Sequence, residues 1–336
     1  FSDMNAAYIA HIVADSPDGP RGDGILSPKL ADALSNLMLM CDPHHRKIDR
    51  EEVAEHPMDR LHRMKEAHES RIETLTGLDV SKASEVLLYG ANIGAHHPHV
   101  SHQRATEALV PHRYPASPRG IALGMVNNSF EDREGEFWKI EAENLRRLYA
   151  QAVAPRLVDG SAPHLSVFAI APQPLLVLLG SLLSDIHPAD VYQLHREPST
   201  WRWQEDSEVP FRLSEPKDPN GDPVLIIGLS ATVAPERVTA VLGNNPAVWT
   251  LSVDQPHNDL MRTRRQLQQF RQTVRGLLNQ IKARHGQGKT LHVFPAMPVS
   301  AAVEFGRVLM PKADLTLRIY DQNKKAGGFV HALDVN

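Results

Sequence analysis

The sequence predicts an α/β protein in two parts, a small loop-rich N-terminal module and a larger open α/β domain. Three observations carry that expectation. Breakers crowd the first fifty residues, where Asp15, Pro17, Asp18, Gly19, Pro20, Gly22 and Gly24 leave no room for long regular elements. Beyond Ser84, short apolar runs alternate with helical stretches, the order that builds an open α/β sheet. A faint internal repeat then doubles part of this larger domain.

Composition sets the outer limits. A chain of 336 residues is about twice the usual domain size, so two domains are expected. With 42% hydrophobic and 23% charged residues, 25 Pro and 20 Gly, disordered, collagenous and membrane classes are excluded. The longest apolar stretch, Leu175 to Leu179, is far short of the roughly 18 residues a bilayer span needs, and no secretory leader opens the chain. A cytoplasmic protein without a membrane partner is the expectation. Lys and Arg total 36 against 40 Asp and Glu, a net charge of −4, so any DNA contact must rest on local patches or a bound metal ion. A single cysteine, Cys41, excludes an internal disulfide, and 18 histidines make any metal chemistry mostly imidazole and carboxylate.

In order along the chain, residues 1–57 form the loop-built module. From Met58 to Leu75, Leu61, Met64, Ile72 and Leu75 mark one face of an amphipathic helix that Gly77 ends; residues 58–84 are read as a helical connector. The larger domain, 85–336, takes its strands from the apolar runs at 86–89, 165–170, 224–229, 248–253, 291–294 and 315–320. Its repeat matches Val167, Phe168, Pro172, Val177, Gly180 and Leu183 to Val293, Phe294, Pro298, Val303, Gly306 and Leu309; after a two-residue slip, Ala189-Asp190 matches Ala313-Asp314. Each copy reads as strand, proline-bearing turn, helix and second strand, which predicts two related βαβ halves.

The module contains, in order, Ala10-His11-Ile12, Ser35-Asn36-Leu37, Cys41-Asp42-Pro43-His44-His45 and Ile48-Asp49. This order resembles the HNH endonuclease motif, a ββα-metal fold. The resemblance implies that His11 is the general base, that Asn36 holds the loop orienting it, and that His45 binds one divalent cation, Mg²⁺ or a similar ion. Phosphodiester hydrolysis needs those residue types: an imidazole, which titrates near neutral pH, to deprotonate water, and a cation to neutralise the phosphate and the departing oxygen. Many family members carry Asp or His just before the base, where this chain has Ala10. Asp49, at i+4 from His45 and so on the same helix face, is the candidate second metal ligand.

Cys41 and His44 have the C-x-x-H spacing of half a structural zinc site, which needs four ligands. The alternative is a small packed Cys41 beside a surface His44. The chain opens at Phe1, within the motif, so residues upstream are expected, and the resemblance implies that they carry the remaining zinc ligands.

In the larger domain, the stretches 165–175 and 191–198, followed by Trp201 and Trp203, resemble the SAVED domain, a pair of fused CARF-type Rossmann-like units that bind cyclic oligonucleotides. Joined to an HNH module, the chain resembles an HNH–SAVED effector of bacterial cyclic-oligonucleotide-based antiphage signalling (CBASS). That resemblance implies a cyclic dinucleotide activator, cleavage of double-stranded DNA, and homo-oligomerisation, to a dimer or tetramer, on activation. Open α/β sheets bind anions at strand carboxyl ends beside helix N-termini. The expected loops are therefore 171–174, with Pro172 and Gln173, and 296–300, with Met297 and Pro298. Ser230 and Thr232 are a third lip, while Trp201, Trp203 and Tyr320 are candidates to stack bases and Gln173, Arg196 and Asp321 to read phosphate or base edges. Core packing or surface ion pairing is the alternative for each.

Two features have plainer readings. The helix expected over 259–285 carries Arg262, Arg264, Arg265, Arg271, Arg275, Lys282 and Arg284, a face for DNA or a neighbouring subunit, or simply a solvated one. The His96-His97-Pro98-His99 and His102 loop is left unassigned. No G-x-G-x-x-G or P-loop run is present, which removes the main support for dinucleotide oxidoreductase and NTPase readings. Besides the gated nuclease, the sequence leaves open a nucleotide sensor with a catalytically silent, structural HNH module, and an unregulated nuclease.

Overall fold

A computed structural model describes residues 7–336 except 78, 126–127, 205–208, 244–245 and 324. The chain divides into two compact units, 1–78 and 79–336.

In the first unit, β1 (Ala7–His11) pairs antiparallel with β2 (Leu37–Cys41), with α1 (Leu26–Leu30) in the long connection between them. Helix α2 (Asp42–Arg46) follows β2 directly, and α3 (Met58–Thr76) closes the unit, its end capped by the Gly77 N–H on the Glu73 carbonyl. Strand alternation turns Ala10 inward, where it packs with Ile12, Ile48 and Leu61. The α3 helix is thereby anchored to this unit through Leu61. The opposite face of the hairpin carries the cross-strand pair Ile9 and Leu39, both exposed.

The second unit holds two sheets. The first is built from β3 (Ala83–Gly90), β4 (Tyr114–Pro115), β5 (Ile121–Ala122), β6 (Leu165–Ile170) and β7 (Ala189–Val191). Its spatial order is β4-β3-β6-β7, with β5 also on β3, and every pairing is parallel. The helices interspersed with these strands are α4 (His102–Leu109), α5 (Gly135–Leu148), α6 (Ala154–Val158) and α7 (Gln173–Leu183). The second sheet takes β8 (Arg212–Ser214), β9 (Pro223–Gly228), β10 (Ala247–Ser252), β11 (Thr290–Ala296), β12 (Thr316–Asn323) and β13 (Gly328–Val335), with α8 (Pro235–Leu242), α9 (Arg264–His285) and α10 (Val299–Arg307). Its order is β13-β12-β11-β9-β10-β8, parallel at the centre and antiparallel at both edges.

The internal repeat falls on equivalent elements of the two sheets: β6-α7-β7 of the first and β11-α10-β12 of the second. Its glycines lie at the crossing of α7 and α10. A Cβ on Gly180 would overlap the Val303 carbonyl, and one on Gly306 the Val177 carbonyl, so each helix presses its glycine onto the other's backbone. Val177 and Val303 are themselves repeat partners, and the contact is reciprocal, as a twofold relation requires. The two repeat aspartates are both met by arginine: Asp190 by Arg113 at 3.0 Å, and Asp314 by a two-pronged Arg275 at 2.6 and 2.7 Å.

One large core fills the space between the sheets, and a smaller aromatic cluster covers each outer face. On the first sheet Phe168 stacks on Tyr192 with ring centres 4.4 Å apart, and Trp201 meets Phe168 edge-on. On the second, Phe294 stacks on Tyr320 at 4.5 Å, and Phe329 meets Phe294 edge-on. Trp201, 2% exposed, and Tyr320, 5% exposed, are thus core residues rather than the base-stacking platforms expected from sequence. Each sheet needs a bulky aromatic to cover its outer face, and these side chains supply it.

Candidate functional site

In the first unit the fold brings the sequence-predicted residues onto β1, β2 and α2. His11 ends β1, and its Nε2–H donates to the Ala31 carbonyl at 3.1 Å. A carbonyl only accepts, so in the neutral ring this bond leaves the lone pair on Nδ1, the nitrogen able to accept a proton. Asn36, 1% exposed, brackets the chain leaving β1. Its Oδ1 accepts the Val13 N–H and its Nδ2 donates to the Val13 carbonyl, both at 2.8 Å, while its own carbonyl accepts the Ile12 N–H at 2.9 Å. The backbone beyond His11 is therefore held by one residue, at Val13 through its side chain and at Ile12 through its main chain.

His45 projects from α2, stacked on Tyr8 of β1 with ring centres 5.1 Å apart and planes 7° from parallel. Its Nε2 lies 3.1 Å from Asp49 Oδ2, and the other oxygen of Asp49 is engaged by Arg21. His45 and Asp49 thus form a two-donor set of imidazole nitrogen and carboxylate oxygen, suited to a divalent cation that draws its remaining ligands from water and phosphate. Cys41 Sγ and His44 Nδ1 are hydrogen-bonded to each other at 3.0 Å on the exposed turn into α2, so the two C-x-x-H side chains point the same way. No cluster of three or more His, Cys, Asp or Glu is found among the described residues.

In the second unit the N-terminal turn of α10 is already met by a side chain from elsewhere in the fold. At α10, Gln193 Oε1 accepts the Ser300 N–H and hydroxyl at 3.1 and 2.8 Å. Next to it, Gln173 Oε1 accepts the Met297 N–H at 2.9 Å. At α7, Pro172 is the N-cap and Pro174 within the first turn has no N–H to offer. Gln173 and Met297 are therefore bonded to each other, and the strand-end loops that include Pro172 and Pro298 join the two halves. Sequence reasoning missed Gln193, whose only signal is its place two residues beyond the end of β7.

The remaining candidates differ in exposure. Arg196 is exposed at its side chain, with its backbone N–H held by Asp259. Trp203 lines a cleft of about 290 Å³ with Asp190, Arg264, Gln268, Arg271 and Glu304. Ser230 keeps a buried hydroxyl with no hydrogen-bond partner among the described residues, and Thr232 beside it is exposed. His195, which the sequence did not single out, is 1% exposed with both ring nitrogens unpartnered among the described residues, and burial pushes its pKa down. Asp321 keeps some surface along β12, but its carboxyl is enclosed; burial, then the neighbouring Asp132, raises its pKa to about 7. The basic helix face is largely neutralised: Arg264, Arg271, Arg275 and Arg284 of α9 pair with Asp190, Glu304, Asp314 and Glu215.

Two parallel-sheet halves joined through a reciprocal helix crossing define a doubled Rossmann-like protein. A family model for SAVED, the SMODS-associated and fused to various effectors sensor domain, matches residues 145–335, and the chain belongs to that family. Among solved structures, it is similar to a Cap4 SAVED/CARF-domain containing receptor of Acinetobacter baumannii with the cyclic trinucleotide 2'3'3'-cAAA. The TM-score is 0.50 at 12% identity, covering 80% of this chain and 54% of that one. The corresponding receptor of Moraxella osloensis gives a TM-score of 0.43 at 12% identity, over 76% of this chain and 50% of that one. At such identity the likeness is one of fold, and the chain spans about half the length of these receptors. No curated protein matches. No helix among the described residues is long and apolar enough to cross a membrane.

Proposed function

We propose that this protein is a cyclic-nucleotide-gated, metal-dependent endonuclease that degrades double-stranded DNA in bacterial antiphage defence, a CBASS effector. The observation that carries the nuclease half is the bond from His11 Nε2–H to the Ala31 carbonyl, which leaves Nδ1 ready to take a proton from water. His45, with Asp49 beside it, is the residue that would hold the divalent cation, and such an ion supplies charge neutralisation at the phosphate and the departing oxygen. Asn36 holds the backbone that carries the base, and Cys41 with His44 would hold a structural zinc together with two further ligands. The sensor half is supported by membership of the SAVED family and by the likeness in fold to a receptor solved with a cyclic trinucleotide. A cyclic dinucleotide or trinucleotide is the proposed activator, with Arg196, Trp203, Ser230, Thr232 and Asp321 the side chains offered to it.

The test is plasmid digestion by the full chain with Mg²⁺ across a panel of cyclic di- and trinucleotides. One of them is expected to switch on cutting, and His11→Ala to abolish it while the nucleotide still binds. Ala10, buried in the core where related nucleases carry an acidic or imidazole ligand, favours a second reading, a sensor with a silent module. Nucleotide binding by the wild type with the plasmid left intact would establish that alternative, and cutting without any nucleotide would establish an unregulated nuclease.

A further inference from the structure

Arg21 is a cation in a place where the chain has no ordinary reason to hold one. It sits in a left-handed backbone conformation, φ +59°, in the turn before Gly22, whose missing Cβ lets the backbone pack onto the Pro17 carbonyl. Its side chain is only 7% exposed. The guanidinium is engaged on three sides: Nε donates to the Ile12 carbonyl at 2.8 Å, Nη1 to the Ile48 carbonyl at 2.9 Å, and Nη2 to Asp49 Oδ1. Ile12 directly follows His11, the last residue of β1, and Ile48 and Asp49 lie one turn beyond His45. The other oxygen of Asp49 faces His45.

We infer that Arg21 is the positioning residue of the nuclease site, fixing the strand that carries the proposed base to the helical segment that carries the proposed cation ligands. This rests on the nuclease reading above. Three bonds in one plane need the rigid fork of a guanidinium; a lysine at the same position offers one charge and no fork. The Asp49 carboxylate, anchored by Arg21 through one oxygen, can turn only its second oxygen toward His45 and a cation. Groups that orient metal ligands in this way typically change metal affinity or activity by about 10–100-fold when they are replaced.

The experiment is a Mn²⁺ titration of the full chain by electron paramagnetic resonance, with His45→Ala identifying the signal of this site. Wild type, Arg21→Lys, Asp49→Asn and the double variant are compared, and plasmid cutting is read in parallel. Arg21→Lys is expected to weaken Mn²⁺ binding about 10–100-fold with KM for DNA unchanged. Asp49→Asn, which alters the ligand itself, should weaken it at least as much, and the double variant little more than Asp49→Asn alone, because Arg21 acts through Asp49. Methyl resonances of Ile12 and Ile48 report whether the module stays folded; should Arg21→Lys unfold it, Arg21→Gln, which removes the charge and the fork but keeps an amide donor, carries the same test. If the wild type binds Mn²⁺ and cuts while Arg21→Lys, or in its place Arg21→Gln, matches it within twofold, the positioning role is overturned and the nuclease reading stands. Additive losses in the double variant overturn it too. A wild type that neither takes up Mn²⁺ nor cuts under any cyclic nucleotide overturns both.

Discussion

Asp321 illustrates how a single side chain reports its surroundings. Burial, and then the charge of Asp132, lift its pKa from the ordinary carboxylate range to about 7, so the folded chain holds this proton far more tightly than the unfolded chain does. Stability must then fall as pH rises from about 4 to about 7, because across that window the native state binds more protons than the unfolded one. Asp321→Asn is expected to remove this slope, leaving the variant more stable than wild type at pH 8 and little changed at pH 4.5. Thermal melts at the two values check it, and equal differences at both would refute it. Trp201 and Tyr320 carry the complementary lesson. Their residue types suit a nucleobase, but the same flat apolar rings suit the outer face of a sheet, and only their neighbours Phe168 and Phe294 decide which role they take.

At the scale of elements, the crossing of α7 on α10 sets how closely the two halves approach. Gly180 and Gly306 permit backbone-to-backbone contact, and a methyl group at either would meet only main-chain atoms, a carbonyl, an N–H and the other glycine's Cα, which cannot swing aside as a side chain can. Gly306→Ala is expected to destabilise the second unit at or above the upper end of the ~1–3 kcal/mol typical of overpacking. Urea denaturation of the full chain measures it, and a midpoint unchanged from wild type would mean that the helices separate at no cost. The repeat that contains these glycines was legible in the sequence, and so were the periods of α3 and α9. The hydrogen bonds of Gln173 and Gln193 across the halves were not, because each glutamine and its partner are more than one hundred residues apart.

For the whole molecule, the proposed activation links a sensor in one compact unit to chemistry in another. A ligand changes such a protein only by binding one of its states better than the other. Self-association through the sensor units is the proposed selected state, with several nuclease modules brought onto one duplex. Light scattering is expected to show at least a doubling of mass when the activating nucleotide is added, in wild type and His11→Ala alike, since His11 lies outside the sensor. A mass that stays constant while cutting switches on would exclude association as the trigger.

Local pattern in the sequence determined the elements: the breaker-rich module, the amphipathic helices, the apolar strands, the doubled βαβ unit and the spacing of His11, Asn36 and His45. These follow from short-range rules, in which periodicity and turn chemistry act over a few residues. Tertiary structure alone decided the occupancy of each polar group. It sent Trp201 and Tyr320 into the core, met the α10 N-terminus with an amide from the loop after β7, neutralised much of the basic face of α9 with acids, and folded Arg21 back onto Ile12, Ile48 and Asp49. The physical reason is that a buried donor, acceptor or charge must find a partner wherever the fold brings one within reach, and that partner can lie anywhere along the chain.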